Sequence, residues 1–250
     1  MSATEKKIMR GFRKAVTDYG LLDDEQAVLV GLSGGKDSLT LLKMLKLFLP
    51  VSKYKYKLAA GHIDLGFGQN IAPLQKLCEE LDVPLFVEHT QISQVVFDYR
   101  KEHNPCSLCA NMRRGALNNL AVREGYTKVA LGHHLDDAAE TVLLNMCFNA
   151  KVDCFRPKTW LSNRKITVIR PLIYVDERTI ATYARQERLP VIDSCCPANT
   201  HTKREDMKQA LAAIQQFAPA AKQHIVGAMQ HLPAGDWQVL PKKRNNNKEE

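Results

Sequence analysis

No run of apolar residues in this 250-residue sequence approaches the length of a membrane span. The first residues, Met1 to Lys7, hold no apolar stretch of the secretory-signal kind. A chain that stays off membranes, in the cytoplasm, is the expectation. Acidic charge is scarce: 27 Asp and Glu stand against 35 Lys and Arg, for a formal net charge of +8. An enzyme that handles only a nucleotide does not need that excess. A polyanionic partner such as RNA accounts for it, and a solubility charge spread evenly is the plainer alternative. Disulfide pairing is also disfavoured, because the seven cysteines are an odd number in a reducing compartment. Metal or sulfur chemistry is left for those that cluster. No internal repeat is present.

The common nucleotide-binding P-loop is missing too. Gly35-Lys36 could end one, but Val30 stands where its first glycine belongs and Asp37 follows the lysine. What is there instead is an apolar, strand-like run, Ala27 to Val30, that breaks into Ser33-Gly34-Gly35-Lys36-Asp37-Ser38. A helical pattern with Leu39, Leu42, Leu45 and Leu49 near one face follows. Strand, glycine turn and helix aim backbone N–H groups at an anion. The glycines let the backbone approach a phosphate, the serines add hydroxyls and Lys36 adds a point charge. An acidic residue in such a cradle makes sense if Mg²⁺ is shared with the phosphate. A tight turn with no ligand is the bland alternative, and it has little use for this set of side chains.

The rest of the chain alternates strands and helices. Strands are expected at 57–63, 84–89, 128–132 and 166–169 besides the first. Helices are expected over 4–19, from about 107 to 123, 136–148, 176–187, 203–217 and 220–232. That pattern means an α/β fold, a doubly wound parallel five-stranded sheet with a helical C-terminal part. Ligands of such sheets sit outside the C-terminal strand ends. Ser33 to Ser38, Asp64, His133, His134, Asp136, Asp137 and Arg170 collect there. We divide the chain into an N-terminal amphipathic helix (1–24), the loop-bearing domain (25–190), a cysteine loop with C-terminal helices (191–240) and a polar, disordered tail (241–250). The first helix is basic on one face (Lys6, Lys7, Arg10, Arg13, Lys14), either a solvated surface or an RNA-facing one.

Cys106 and Cys109 form a C-x-x-C pair beside Arg113 and Arg114. Alone, the pair reads as zinc, iron–sulfur, dithiol redox or accident. Nearby positive charge would stabilise thiolates and could touch RNA phosphates. Cys195 and Cys196 supply more sulfur far down the chain. Adjacent cysteines rarely share one ion, so one of them is the expected ligand. Two plus one thiols can hold three irons of a [4Fe–4S] cluster and leave the fourth open. Cys78 and Cys147 lie in apolar helical patterns and are expected in the core, and Cys154 is ambiguous.

Ser33 to Ser38 resembles the signature of the PP-loop ATP pyrophosphatase family, the adenine nucleotide alpha hydrolases. With Cys106-Ser107-Leu108-Cys109, Arg113-Arg114-Gly115, Leu131-Gly132-His133-His134-Leu135-Asp136-Asp137 and Arg170-Pro171-Leu172 in order, the chain is similar to the tRNA 2-thiocytidine synthetase group from about Ala27 to Leu232. The resemblance implies ATP-dependent thiolation of a tRNA cytidine, at position 32, by an enzyme carrying a [4Fe–4S] cluster and using ATP with Mg²⁺. It implies that Ser33, Gly34, Gly35, Lys36, Asp37, Ser38, Asp64, Gly132, His133 and Asp137 line the ATP site. Lys36, Asp37, Cys106 and Cys109 would be catalytic. Cys106, Cys109 and Cys196 (or Cys195) would hold the cluster. Arg113, Arg114 and Arg170 would contact RNA. Partners implied are tRNA, a sulfur donor such as a cysteine desulfurase, and a second copy of the chain as a homodimer. The third-cysteine segment departs from the family pattern Pro-Cys-x-x-Cys-Gly: alignment from Pro190 puts the first cysteine on Ser194, and alignment from Lys203-Arg204 favours Cys196. The zinc knuckles of the thiouridine enzymes are lacking. Uridine thiolation, a lysidine-synthetase type of ligase, which needs no cysteines, and a zinc-stabilised RNA-binding module are the alternatives.

Overall fold

A computed structural model describes residues 1–100, 105–192, 196 and 203–232. In chain order the elements are α1 (Ala3–Tyr19), β1 (Gln26–Gly31), α2 (Lys36–Phe48), β2 (Tyr56–Asp64), α3 (Ala72–Glu80), β3 (Leu85–His89), a short α4 (Ile92–Gln94), α5 (Pro105–Arg123), β4 (Lys128–Ala130), α6 (Leu135–Asn149), β5 (Lys158–Leu161), β6 (Ile166–Ile169), α7 (Glu177–Gln186), α8 (Lys203–Phe217) and α9 (Ala221–Gln230). The expected tail at 241–250 lies outside the described residues.

The sheet runs β3-β2-β1-β4-β6-β5. Five strands are parallel, with Val30 opposite Ala60 on one side and Ala130 on the other. The sixth, β5, is an addition to the expected five and pairs antiparallel with β6, Trp160 opposite Thr167. Its four residues, Lys-Thr-Trp-Leu, follow Pro157 and carry too little apolar patterning to be read as a strand. As an edge strand it buries little, and Trp160 stays 60% exposed.

Both sheet faces are covered. Val28, Val30 and Ala60 look into a large core with α1, α2, α3, α7, α8 and α9, including Phe12, Leu42, Tyr183, Leu211 and Met229. Leu29, Ala59, Val129 and Val168 face α5 through Leu117, Leu120 and Ala121. Strands apolar on both sides are what a doubly covered parallel sheet requires.

Helix α1 is capped by the Ser2 hydroxyl, which accepts from the Glu5 amide at 3.1 Å, and ends on left-handed Gly20. Its apolar stripe is buried. Several basic residues serve the fold: Lys7 pairs with Asp176 at 2.9 Å, Arg13 lies over Phe48, and Lys14 lies over Tyr174. One expectation fails on this side of the molecule. Cys147 is exposed, not core, because the last turn of α6 carries it outward with Met146 and Phe148.

The strand order reverses between β1 and β4, since the chain leaves β1 toward β2 and returns on its other side. The loops after these two strands therefore face each other across a crevice. One is 32–35 and the other 131–134.

Candidate active site

The first loop is a tight cradle. Gly34 has φ +86°, and the Ser38 hydroxyl accepts from the Ser33 amide at 3.2 Å while donating to the Gly35 carbonyl at 2.9 Å. These bonds fold the loop back over the start of α2. Gly35 is the N-cap of that helix and makes no side-chain cap, so the first-turn amides have no capping side chain. The second loop presses on this turn through Gly132. A Cβ there would lie 2.9 Å from the Asp37 carbonyl carbon, which is why the segment needs glycine.

Charged groups surround the cradle. Lys36 Nζ lies 3.3 Å from Asp37 Oδ2 and 3.0 Å from Glu177 Oε1. Burial works against the ammonium, but the two carboxylates outweigh it and hold its pKa above the ordinary value. Asp37 is raised by burial, with His134 and Lys36 pulling the other way. Its Oδ1 is buried with no hydrogen-bond partner among the described residues. An oxygen left so is fitted to receive a cation, which is the demand Mg²⁺ would meet.

His134 caps α6. Its Nδ1 accepts from the Asp137 amide at 3.4 Å, and Asp137 Oδ2 accepts from the His134 amide at 3.0 Å. Its other ring nitrogen lies 3.7 Å from Asp37 Oδ1 and 3.5 Å from Asp137 Oδ2. His134 thus sits between the carboxylates in the first turns of α2 and α6. Asp64, at the end of β2, accepts from the Gly66 amide at 2.9 Å and faces His89 Nδ1 at 2.9 Å, and these contacts lower its pKa. His133 packs against Phe155, with ring centroids 4.8 Å apart and the rings tilted by 38°. Burial, with Arg170 nearby, takes its pKa down to about 4, so the ring is neutral at physiological pH.

Arg170 departs from the expected surface contact. It is 8% exposed, donates to the Arg156 carbonyl at 2.5 Å and lies over Phe155. Its guanidinium braces the loop that holds Phe155 under His133. Arg113 and Arg114, by contrast, are exposed on α5.

The C-x-x-C falls in the first turn of α5, which starts with Pro105 at a position that needs no N–H. Cys106 is exposed, Cys109 and Cys196 half-buried. Burial raises the Cys109 pKa, Arg113 opposes it, and both Cys196 and Cys106 are near enough to raise it further. Cys109 thus lies in electrostatic range both of Cys106, its C-x-x-C partner, and of Cys196 from far down the chain, and bound iron would relieve such a donor set of its repulsion. No three His, Cys, Asp or Glu side chains among the described residues converge on a single-ion site. A four-iron cluster makes no such demand, since each cysteine ligates its own iron. Cys195 lies outside the described residues. Cys78 and Cys154 are buried, and burial pushes the Cys154 thiol up to about 12.

The Ile192 amide donates to the Gly34 carbonyl at 3.1 Å, so the segment leading to Cys196 starts on the cradle.

The profile of the PP-loop domain matches residues 4–215. The chain belongs to the PP-loop family. Among its PP-loop relatives, the tRNA-cytidine(32) 2-sulfurtransferase of Geobacter metallireducens is 36% identical over 231 residues, 91% of this chain and 90% of that one. The enzyme of the same name from Geobacter sulfurreducens is 37% identical over 228 residues, 90% of this chain and 89% of its own. Among solved structures, the U34-tRNA thiolase NcsA from Methanococcus maripaludis, with its [4Fe-4S] cluster, superposes with a TM-score of 0.75 at 25% identity, covering 90% of this chain and 78% of that one.

The PP-loop motifs themselves did not point to Glu177, Arg204 or Lys208. Arg204 reaches Asp137 Oδ1 at 2.8 Å from α8, and Lys208 reaches Glu177 Oε2 at 3.0 Å. The sequence signal was an (i, i+4) basic pair at the start of a C-terminal helix, which reads equally as a solvated face.

Proposed function

We propose that this chain is an ATP-dependent tRNA sulfurtransferase that replaces the C2 oxygen of a cytidine, position 32 of the tRNA, with sulfur. The observation that carries the reading is a phosphate cradle on which the segment leading to Cys196 starts, through the Ile192–Gly34 hydrogen bond. A nucleotide-only enzyme has no use for the thiols, and a redox dithiol has no use for the cradle.

In this reading the cradle amides and Ser33, Ser38 and Lys36 hold the β- and γ-phosphates of ATP, and Asp37 shares Mg²⁺ with them. His133, Gly132 and Asp64 line the nucleoside side, with Asp137 behind His134. The C2 oxygen of an unstacked cytidine attacks the α-phosphorus, the bond to pyrophosphate breaks, and Lys36 offsets the charge gathered on the departing group. Sulfide then displaces AMP from C2. Cys106, Cys109 and Cys196 would hold a [4Fe–4S] cluster, which when bound supplies an open iron site for that sulfide. The base must leave its stack to be reached, which an anticodon loop permits. Arg113 and Arg114, exposed one turn beyond the thiols, are placed for backbone phosphates. A cysteine desulfurase as sulfur source, a homodimeric state and a cytoplasmic setting complete the proposal. Among the described residues no helix is long and apolar enough to cross a membrane.

The test is anaerobic purification followed by incubation with tRNA, ATP, Mg²⁺ and sulfide, and nucleoside mass spectrometry. The expected result is brown protein with stoichiometric iron and ATP-dependent 2-thiocytidine. Colourless protein with zinc, or full activity in Cys106→Ser, would overturn it.

A further inference from the structure

Lys36 is shared. Its ammonium touches Asp37 and one oxygen of Glu177, while the other oxygen of Glu177 takes Lys208 from α8. Glu177 opens α7, and its backbone there is anchored, its amide donating to Asp136 Oδ2 at 2.8 Å. Asp136 is itself fixed by Lys222 of α9. One turn before Lys208, Arg204 holds Asp137. Residues four apart lie on the same helix face, so α8 presents both cations to the cradle's carboxylates at once. Glu177, Lys208, Asp136 and Lys222 line a cleft of about 310 Å³ between α6, α7, α8 and α9. No activity described above employs Lys208.

The geometry has a consequence for the loop lysine. A carboxylate with two ammonium partners binds each less tightly than it would bind one, and the Glu177 hydrogen bonds are charge-assisted on both sides. With Lys208 in place, Lys36 can leave Glu177 for a phosphate without abandoning an unpaired, half-buried carboxylate. Without Lys208, that departure strands the Glu177 charge.

We propose that Lys208 is a positioning residue of the nucleotide cradle, which neutralises Glu177 and so releases Lys36 to the phosphates. The inference rests on the reading of the cradle as an ATP site. Lys208 touches neither nucleotide nor tRNA in it; Glu177 is the intermediary.

The sign of the double substitution tests this. Binding of Mg²⁺-pyrophosphate to the full chain is measured by calorimetry, and KM for ATP by pyrophosphate release. Lys208→Met should weaken pyrophosphate binding and raise KM by about tenfold with kcat little changed, the size of one charge-assisted contact. Lys208→Arg should retain wild-type values. Adding Glu177→Gln to Lys208→Met should recover most of the loss, because the carboxylate that held Lys36 is gone. A merely structural Lys208 predicts the opposite, a double variant worse than the single one, and that result overturns the proposal. Wild-type affinity in Lys208→Met, or a Lys208→Arg protein as weak as Lys208→Met, overturns it too. A wild-type chain that binds neither ATP nor pyrophosphate overturns the ATP-site reading together with this one, whereas normal wild-type binding with an unchanged Lys208→Met overturns this one alone.

Discussion

Ile192 sits on Gly34. Its amide donates to the Gly34 carbonyl at 3.1 Å, and a Cβ built on Gly34 would fall 2.3 Å from Ile192 Cγ1. The glycine that gives the cradle its turn is therefore also the seat of the segment that leads, four residues on, to Cys196. Ile192 and Cys196 are four residues apart in the chain, so damage to the cradle is expected to reach the thiol set.

Gly34→Ala tests that expectation. The substitution meets two penalties, a positive φ and a collision with a side chain, and should cost about 2 kcal/mol or more of stability. Iron bound per chain after anaerobic reconstitution should fall along with pyrophosphate affinity. Ile192→Ala alone removes the collision partner, so the double variant should regain iron occupancy relative to Gly34→Ala. Iron content unaffected by Gly34→Ala would show that the two sites are independent.

The cysteines should separate by position. Cys106→Ser, Cys109→Ser and Cys196→Ser should each lose the brown colour and most of the bound iron and sulfide. Cys195→Ser and Cys147→Ser should keep them. Cys147 is exposed and Cys78 buried, so in the native, iron-loaded protein a maleimide should label Cys147 readily and Cys78 only after unfolding. Loss of iron in Cys195→Ser with retention in Cys196→Ser would move the third ligand by one residue.

These sites differ in how far the sequence alone reveals them. The cradle is readable because its residues are contiguous and each answers a local demand: Gly34 for the turn, Ser38 for the loop amide, Lys36 for charge. Gly132 is readable because it stands just past the end of β4, and Asp137 because an acidic residue suits the first turn of a helix. Glu177, Arg204 and Lys208 are not, since their roles exist only once α7 and α8 pack against α6, and nothing local distinguishes them from surface charge. Arg170 misleads for a related reason. An arginine at a strand end reads as a ligand group, but the loop carrying Phe155 folds over it. Strand β5 goes unread because pairing at a sheet edge, and no apolar pattern, defines it.

The arginines make a contrast in salt dependence. Arg113 and Arg114 are exposed beside the thiol set. Each neutral substitution should weaken tRNA binding and lower the magnitude of the log–log salt slope by about one. Arg170→Gln should leave the slope alone and instead lower thermal stability by about 1–3 kcal/mol, through the lost Arg156 carbonyl bond and the Phe155 contact. Filter binding across a salt series reads the first effect and calorimetric melting the second. A slope change in Arg170→Gln with unchanged melting would return that residue to the RNA surface.

Glu140 gives the nucleotide-free protein a pH signature. It is 5% exposed, and burial raises its pKa to about 7, with Arg204 and Lys208 opposing and Asp137 and Asp136 reinforcing the shift. A carboxyl whose folded pKa lies above its unfolded value binds more protons when folded. Its protonated form stabilises the fold fully below the unfolded pKa, and that contribution is lost as pH rises through about 7. Stability should therefore decline between pH about 4.5 and 7 by on the order of 2 kcal/mol from this group. Glu140→Gln keeps the shape and removes the titration. Its melting temperature should match wild type near pH 5 and exceed it at pH 8. Arg204→Gln should steepen the wild-type decline, because the cation 3.8 Å from Glu140 Oε2 is then gone. A constant difference between Glu140→Gln and wild type across that range would mean that Glu140 is ionised throughout, held by Arg204 more firmly than its burial opposes.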